Sequence, residues 1–176
     1  MPGIIIHLAA ANEYLKNNPN EDSAEFLKGA IAPDYMPDPD KAHHSSQYIY
    51  DGALPYLFGK VNLKESIPDF DINTSFGKGY FYHLITDYVF YRSLLDKDAD
   101  INFGNMSYDE LRDMLYHDYA ATNNYIKNQY NVVVPKIAEK YDVKESVDLK
   151  ILRLDEICKM IRDLSSLDLN EYLKNL

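Results

Sequence analysis

The segment at residues 79–92, GYFYHLITDYVFYR, constrains the fold most strongly. Apolar and aromatic residues fill most of its positions, which is typical of a helix buried on nearly all sides. His83 and Asp87 are four residues apart, so on a helix their side chains lie one above the other on the same face. The pair is either a core histidine hydrogen-bonded to an aspartate or two ligands of a metal ion.

Length and composition indicate one globular domain. A chain of 176 residues can bury a full core, and 46% hydrophobic residues with only 7 Gly and 8 Pro are ordinary for a folded protein. The lone Cys158 excludes an internal disulfide and is predicted to be buried. We expect residues 1–176 to form a single helical domain.

The net charge of −10 and the pI of about 4.8 oppose binding to nucleic-acid backbones or anionic membrane surfaces. No stretch approaches the roughly 20 apolar residues of a membrane span. The first residues contain a short apolar run without the basic flank of a signal peptide. We therefore expect a cytoplasmic protein without nucleic-acid partners or stable membrane association, and the oligomeric state stays open.

Helical spacing of apolar residues and capping signals predict an all-α bundle of about six to eight helices. Capping is expected from Asp22 with Glu25 and from Ser107 with Glu110. Val132–Pro135 is locally strand-like but is interpreted as a helix break. The predicted helices cover about 4–16, 23–30, 47–63 (one kinked or two short helices), 75–95, 107–130, 150–164 and 169–176, with a loop from Lys64 to the central helix.

A loop with three prolines, IAPDYMPDPDKAHHSS, separates the second helix from the third predicted segment. Its acidic residues, like those at 96–100, do not fit the spacing of an EF-hand calcium loop. The loop nevertheless offers Asp34, His43 and His44 as candidate ligands, beside His7 on the first helix and the pair on the central helix. Histidine and aspartate without thiolate suit zinc or another first-row divalent ion.

Four motifs occur in a fixed order: His7, GAIAPD ending at Asp34, KAHH at Lys41–His44, and GYFYHLITD ending at Asp87. This order resembles the zinc-dependent phospholipase C family, whose fold is shared with the fungal single-strand nucleases. The resemblance covers about residues 1–90. It implies the zinc-dependent phospholipase C fold for the helical bundle.

The resemblance also implies roles for particular residues. His7 matches a ligand of a neighbouring zinc site that shares Asp87 as a bridging carboxylate, and the position of Asp34 is discussed in the family as a general base. His43 is preferred to His44 because K-x-H keeps the family spacing. The most complete zinc site is matched by Asp34, His43, His83 and Asp87.

The chain departs from the family at two other ligands. In secreted members the mature amino terminus binds zinc, and here Pro2 follows Met1, which leaves that ligand open. A third family site uses a His-x-x-x-Glu pair, but here the fourth residue after His117 is Ala121 rather than a glutamate. His117 is a candidate metal ligand of a rebuilt site, with Asp118 beside it.

We therefore expect a zinc-dependent hydrolase, with one or two Zn²⁺ ions, that acts on a small-molecule or lipid-headgroup phosphate ester through metal-activated water. The alternative is a helical domain that binds metal at a degraded, non-catalytic site. A third interpretation pairs His117 and Asp118 with His83 and a distant acid such as Asp155, as in HD-type phosphohydrolases.

Overall fold

The structure, a computed structural model, describes residues 3–44, 61, 63–67, 70–91, 107–136, 149 and 152–176. Over these ranges the chain is mostly helical and contains no β-strand, so the predicted all-α class is confirmed. In chain order the elements are α1 (Ile4–Asn17), α2 (Ser23–Gly29), a 3₁₀ turn (Ala32–Tyr35), α3 (Pro39–Ala42), α4 (Leu63–Ser66), α5 (Ser75–Phe90), α6 (Tyr108–Gln129), α7 (Leu154–Ser165) and α8 (Leu169–Lys174).

Helix α5 lies at the centre of the fold. Every residue from Gly79 to Asp87 is buried, which confirms the prediction of a helix enclosed on nearly all sides. Thr74 caps the helix by accepting a hydrogen bond from the backbone N–H of Gly77. Helices α1, α2 and α7 pack against α5, and this enclosure keeps solvent away from the polar side chains in its middle.

The predicted capping signals are confirmed. The Asp22 side chain accepts hydrogen bonds from the N–H groups of Ala24 and Glu25 at the start of α2. Ser107 and Glu110 form a reciprocal capping box at the start of α6. Both helices therefore begin where short-range sequence signals place them.

Two glycines allow α2 and α5 to approach closely. A Cβ atom built on Gly79 would lie 2.0 Å from the carbonyl oxygen of Phe26, and one built on Gly29 would lie 2.1 Å from that of Phe76. Real Cβ atoms do not approach backbone oxygen so closely, so only glycine fits at this crossing. The close approach brings the carboxyl end of α2 against the first two turns of α5.

Two element boundaries differ from the predictions. Helix α7 begins at Leu154 rather than near residue 150, and the Leu152 N–H donates instead to Asp118 Oδ2 at 2.8 Å, a tertiary bond that keeps this residue outside the helix. The predicted loop after Lys64 is also wrong in part, because Leu63–Ser66 form the short helix α4.

Two further predictions are confirmed, and three others fall on residues outside the described part of the chain. Val132–Pro135 adopts no regular structure after α6, which confirms the helix break, and Cys158 is buried. The predicted helical segment at 47–60, the acidic residues 96–100 and the predicted end of the central helix at 92–95 lie outside the described residues. No helix in the described part of the chain is both long and apolar enough to cross a membrane.

Candidate metal centre

His83 and Asp87 occupy the buried middle of α5. Their spacing of four residues places His83 Nε2 3.4 Å from Asp87 Oδ2, as expected for two side chains on one helix face. Both side chains are fully buried. The helix therefore directs an imidazole nitrogen and a carboxylate into the protein interior at the same point.

Helix α1 adds a third group next to His83. His7 Nε2 lies 3.3 Å from Asp87 Oδ1, and the His7 ring stacks on the His83 ring with centroids 3.8 Å apart and planes 12° apart. His7 is 1% exposed. The two oxygens of Asp87 thus face different imidazoles, one from α1 and one from α5.

The segment between α2 and α4 contributes two more groups. Asp34 lies in the 3₁₀ turn and His43 directly follows α3. His43 Nε2 is 3.4 Å from Asp34 Oδ1 and 3.8 Å from Asp87 Oδ2. His43 is buried, whereas 15% of the Asp34 side chain is exposed, which makes Asp34 the most accessible of these groups.

We refer to these five residues as the His–Asp cluster: His7, Asp34, His43, His83 and Asp87. The potential ligand atoms of His7, His83 and Asp87 all lie within 4.8 Å of one another, as do those of Asp34, His43 and His83. His83 belongs to both groups. Such buried groups of nitrogen and oxygen ligands can hold a metal ion.

The hydrogen bonding of the cluster distinguishes a metal site from an ordinary polar core. Both carboxylate oxygens of Asp87 and the Nε2 atoms of His7 and His83 are buried, and the described residues give them no hydrogen-bond partner. Buried polar atoms without partners are rare in folded proteins because they cost about 1–3 kcal/mol each. The core-histidine interpretation predicts a hydrogen-bonded pair instead, so these atoms fit a cation as their common partner.

The orientation of His83 is fixed from outside the cluster. Its Nδ1 lies 2.8 Å from the carbonyl oxygen of Ala30, which can only accept a hydrogen bond. Nδ1 therefore carries a proton, and Nε2 faces Asp87. A second partner of this kind is what orients most metal-binding histidines.

Electrostatics hold most of the cluster in the protonation states that metal ligands need. Burial lowers the pKa of His7, and the nearby His83 lowers it further. Burial alone would raise the pKa of Asp87, but the positive charge of His83 outweighs it and holds the pKa well below its usual range. At Asp34, too, burial alone would raise the pKa, but the positive charge of His83 acts against burial and the pKa is lowered. His7 is thus neutral and both carboxylates are ionised.

The pKa of His83 moves in the other direction. Burial lowers it, but the negative charges of Asp87 and Asp34 outweigh burial and raise the pKa above its ordinary value. Without a cation, His83 is therefore the group that tends to carry the balancing positive charge between the two carboxylates. A metal ion would displace this proton on binding.

Tyr80 ties the segment carrying His43 to α5. Its hydroxyl donates a hydrogen bond to the carbonyl oxygen of Ala42 at 2.6 Å, directly before His43. Tyr82, two residues further along α5, makes a comparable buried hydrogen bond to the carbonyl oxygen of Ala10 at 3.1 Å. Tyr80 therefore positions a cluster residue, whereas the carbonyl that binds Tyr82 belongs to α1.

We expect Tyr80→Phe to weaken metal binding about tenfold, because the loss of this bond frees the backbone that holds His43. Tyr82→Phe is the matched control, since it removes a hydrogen bond of the same kind from the same helix. Both variants should lose roughly 1 kcal/mol of folding stability, but only the first should lose metal affinity. Calorimetric zinc titration measures the effect, and equal affinities for the two variants would contradict it.

The structure places the other candidates outside both ligand groups. His117 Nδ1 lies 3.1 Å from Asp118 Oδ1, while the other Asp118 oxygen accepts the Leu152 N–H. Asp155 is exposed and pairs with Arg153, so the described residues do not assemble the HD-type arrangement. His44 also belongs to neither group, and a ligand role for His117 stays a prediction.

Three contributors to the site have no signal in the sequence: Ala30, Tyr80 and Tyr119. The first two act through hydrogen bonds between elements that are distant along the chain. Tyr119 is buried, and burial together with the negative charges of Asp87 and Asp34 raises the pKa of its hydroxyl well above the ordinary value. Only the high tyrosine content, 16 residues, hints at such roles.

Comparisons with protein-family models, curated proteins and solved structures give no match to this chain. The case for a function therefore depends on the chemistry of the His–Asp cluster.

Proposed function

We propose that this protein binds zinc at the His–Asp cluster and hydrolyses a phosphate ester there. The observation that carries the proposal is the convergence of five imidazole and carboxylate groups from separate segments, with buried ligand atoms that the described residues leave unpartnered. The resemblance of residues 1–90 to zinc-dependent phospholipases C supports the choice of reaction.

The donor set favours zinc. Three imidazoles and two carboxylates without thiolate suit zinc and other first-row divalent ions rather than calcium or magnesium, which prefer oxygen ligands. One Asp87 oxygen lies near His7 and the other near His83. The cluster would hold one or two ions, with ligands drawn from His7, Asp34, His43, His83 and Asp87.

A bound zinc ion supplies Lewis-acid chemistry, since it lowers the pKa of water toward neutrality and stabilises negative charge on a phosphoryl oxygen. Asp34 is the cluster residue best placed to receive a proton from the attacking water, because it is the most exposed member. Its lowered pKa keeps its carboxylate ionised and able to accept a hydrogen bond. Water and substrate would approach the cluster from this side.

The charge of the chain narrows the substrate. A net charge of −10 repels polyanions such as nucleic acids. A small phosphate ester, or one with a zwitterionic lipid headgroup, carries little net charge and meets no such barrier. We therefore propose small-molecule or lipid-headgroup phosphate esters as the substrate class, and a cytoplasmic location in keeping with the sequence prediction.

A second candidate is a metal-binding domain without catalysis. The observation in its favour is burial, because His7, His83 and Asp87 are at most 1% exposed and offer a substrate little direct access. A structural zinc site is closed in this manner, whereas a catalytic site keeps a position open. Both candidate functions predict metal binding, but only the first predicts turnover of a phosphate ester.

The test is a panel of phosphate mono- and diesters incubated with zinc-loaded protein. We expect turnover by the parent and a decrease in kcat of about 100-fold or more in Asp34→Asn. Asp38→Asn is the control, because Asp38 is an exposed acid in the same segment. Metal content is measured for each variant, so that loss of zinc is separated from loss of proton transfer. Bound zinc without turnover of any ester would reject hydrolysis and favour the second candidate.

A further inference from the structure

Tyr119 of α6 packs against the two helices, α1 and α5, that carry His7, His83 and Asp87. A Cβ atom on Gly3, the N-cap of α1, would lie 3.8 Å from Tyr119 Cβ, and the ring centroids of Tyr119 and Phe90 are 6.0 Å apart. Gly3 precedes His7 by one helical turn, and Phe90 follows Asp87 by three residues on α5. Each neighbour of Tyr119 therefore shares a helix face with a residue of the cluster.

The hydroxyl of Tyr119 is a buried hydrogen-bond donor that has no acceptor among the described residues. The residue is 7% exposed, and no described residue provides a hydrogen-bond partner for its oxygen. Tyrosine hydroxyls that are buried usually have a partner, and phenylalanine would fill the same volume without the cost of an unpaired group. The hydroxyl thus fits a ligand that is bound only part of the time.

The charge of the cluster indicates what kind of ligand this is. With one divalent ion bound, the two negative charges of Asp34 and Asp87 balance its charge. An anion binding next to such a neutral centre gains little from net charge and depends on hydrogen-bond donors. A phenol is neutral and protonated near pH 7, so it donates to an anionic oxygen without adding charge to the centre.

We propose that the Tyr119 hydroxyl donates a hydrogen bond to a phosphoryl oxygen of the ligand that binds beside the His–Asp cluster. This inference rests on the zinc site and the phosphate chemistry proposed above. Tyr119 is then a substrate-binding residue that holds the phosphoryl group from α6, a helix that carries none of the cluster residues.

The test is calorimetric titration of zinc-loaded protein with inorganic phosphate. In Tyr119→Phe we expect the dissociation constant for phosphate to rise about tenfold, in line with one charge-assisted hydrogen bond. Zinc content should be unchanged, and the melting temperature should not fall because no described residue is hydrogen-bonded to this hydroxyl. Tyr116→Phe is the control, since Tyr116 lies on the same helix and is 64% exposed.

The outcomes separate this inference from the proposed function. Equal phosphate affinity in Tyr119→Phe and parent would overturn the inference while leaving hydrolysis intact. A lower melting temperature with unchanged phosphate affinity would assign Tyr119 a purely structural role and overturn it as well. Weakened phosphate binding in a protein that cleaves no ester would support the inference and reject hydrolysis. A zinc-loaded parent that binds no phosphate would contradict both.

Discussion

Replacement of His83 by alanine is expected to abolish zinc binding, with a loss of affinity greater than about 100-fold. Changes of residues that merely orient metal ligands already cost 10–100-fold, and His83 is a candidate ligand itself. It is the one residue shared by the two ligand groups found among the described residues. Removal of the His83 imidazole therefore takes one ligand from each of the two groups.

The measurement is a zinc titration of His83→Ala and parent, with metal content determined after gel filtration. His44→Ala is the matched control, because His44 lies beside His43 but belongs to neither ligand group. We expect His44→Ala to bind zinc like the parent. Undiminished zinc affinity in a folded His83→Ala protein would show that the metal, if any, binds elsewhere.

The second large effect concerns folding. In Gly79→Ala the new methyl group would lie 2.0 Å from the carbonyl oxygen of Phe26, so α2 and α5 must separate. We expect a loss of about 3 kcal/mol of folding stability and a decrease in melting temperature of roughly 6–12 °C. The loss would occur although alanine is the better helix former by about 1 kcal/mol.

The same substitution should weaken metal binding, because separation of the helices moves Ala30 away from His83. Gly3→Ala is the control, since its Cβ would meet the end of the Asn123 side chain at 3.1 Å and make an ordinary van der Waals contact with Tyr119 Cβ at 3.8 Å. That variant should change stability by less than about 1 kcal/mol. Thermal and urea unfolding measure both effects, and a Gly79→Ala protein as stable as the parent would contradict the close crossing.

Sequence reasoning succeeded where the cause is local. The spacing of His83 and Asp87 sets their common helix face, and the capping signals at Asp22 and Ser107 act within one turn. The burial of α5 follows from its continuous apolar sequence. Each of these features depends on residues only a few positions apart, and each is seen in the structure.

Features that depend on contacts between residues far apart in the sequence could not be predicted. The Leu152 N–H bond to Asp118 delays the start of α7, and the Tyr80 bond to Ala42 fixes the segment carrying His43. Neither bond has a periodic pattern or a local motif, because the partners are more than 30 residues apart. Such contacts become visible only once the helices are packed.

The cluster itself lies between these two cases. The order of His7, Asp34, His43 and the α5 pair resembles that of a known family and predicts which residues belong to the cluster. The stacking of His7 on His83 and the Asp87 oxygens, to which no described residue is hydrogen-bonded, become apparent only in the three-dimensional packing. These two observations favour a metal site over a polar core.

The central claim is that the His–Asp cluster holds a cation, and anomalous X-ray scattering at the zinc edge tests it most directly. Crystals would be grown from protein purified without chelator and supplied with zinc. We predict an anomalous peak about 2.0–2.2 Å from His83 Nε2 and from an oxygen of Asp87. A crystal with zinc in solution but no anomalous peak within the cluster would contradict the account.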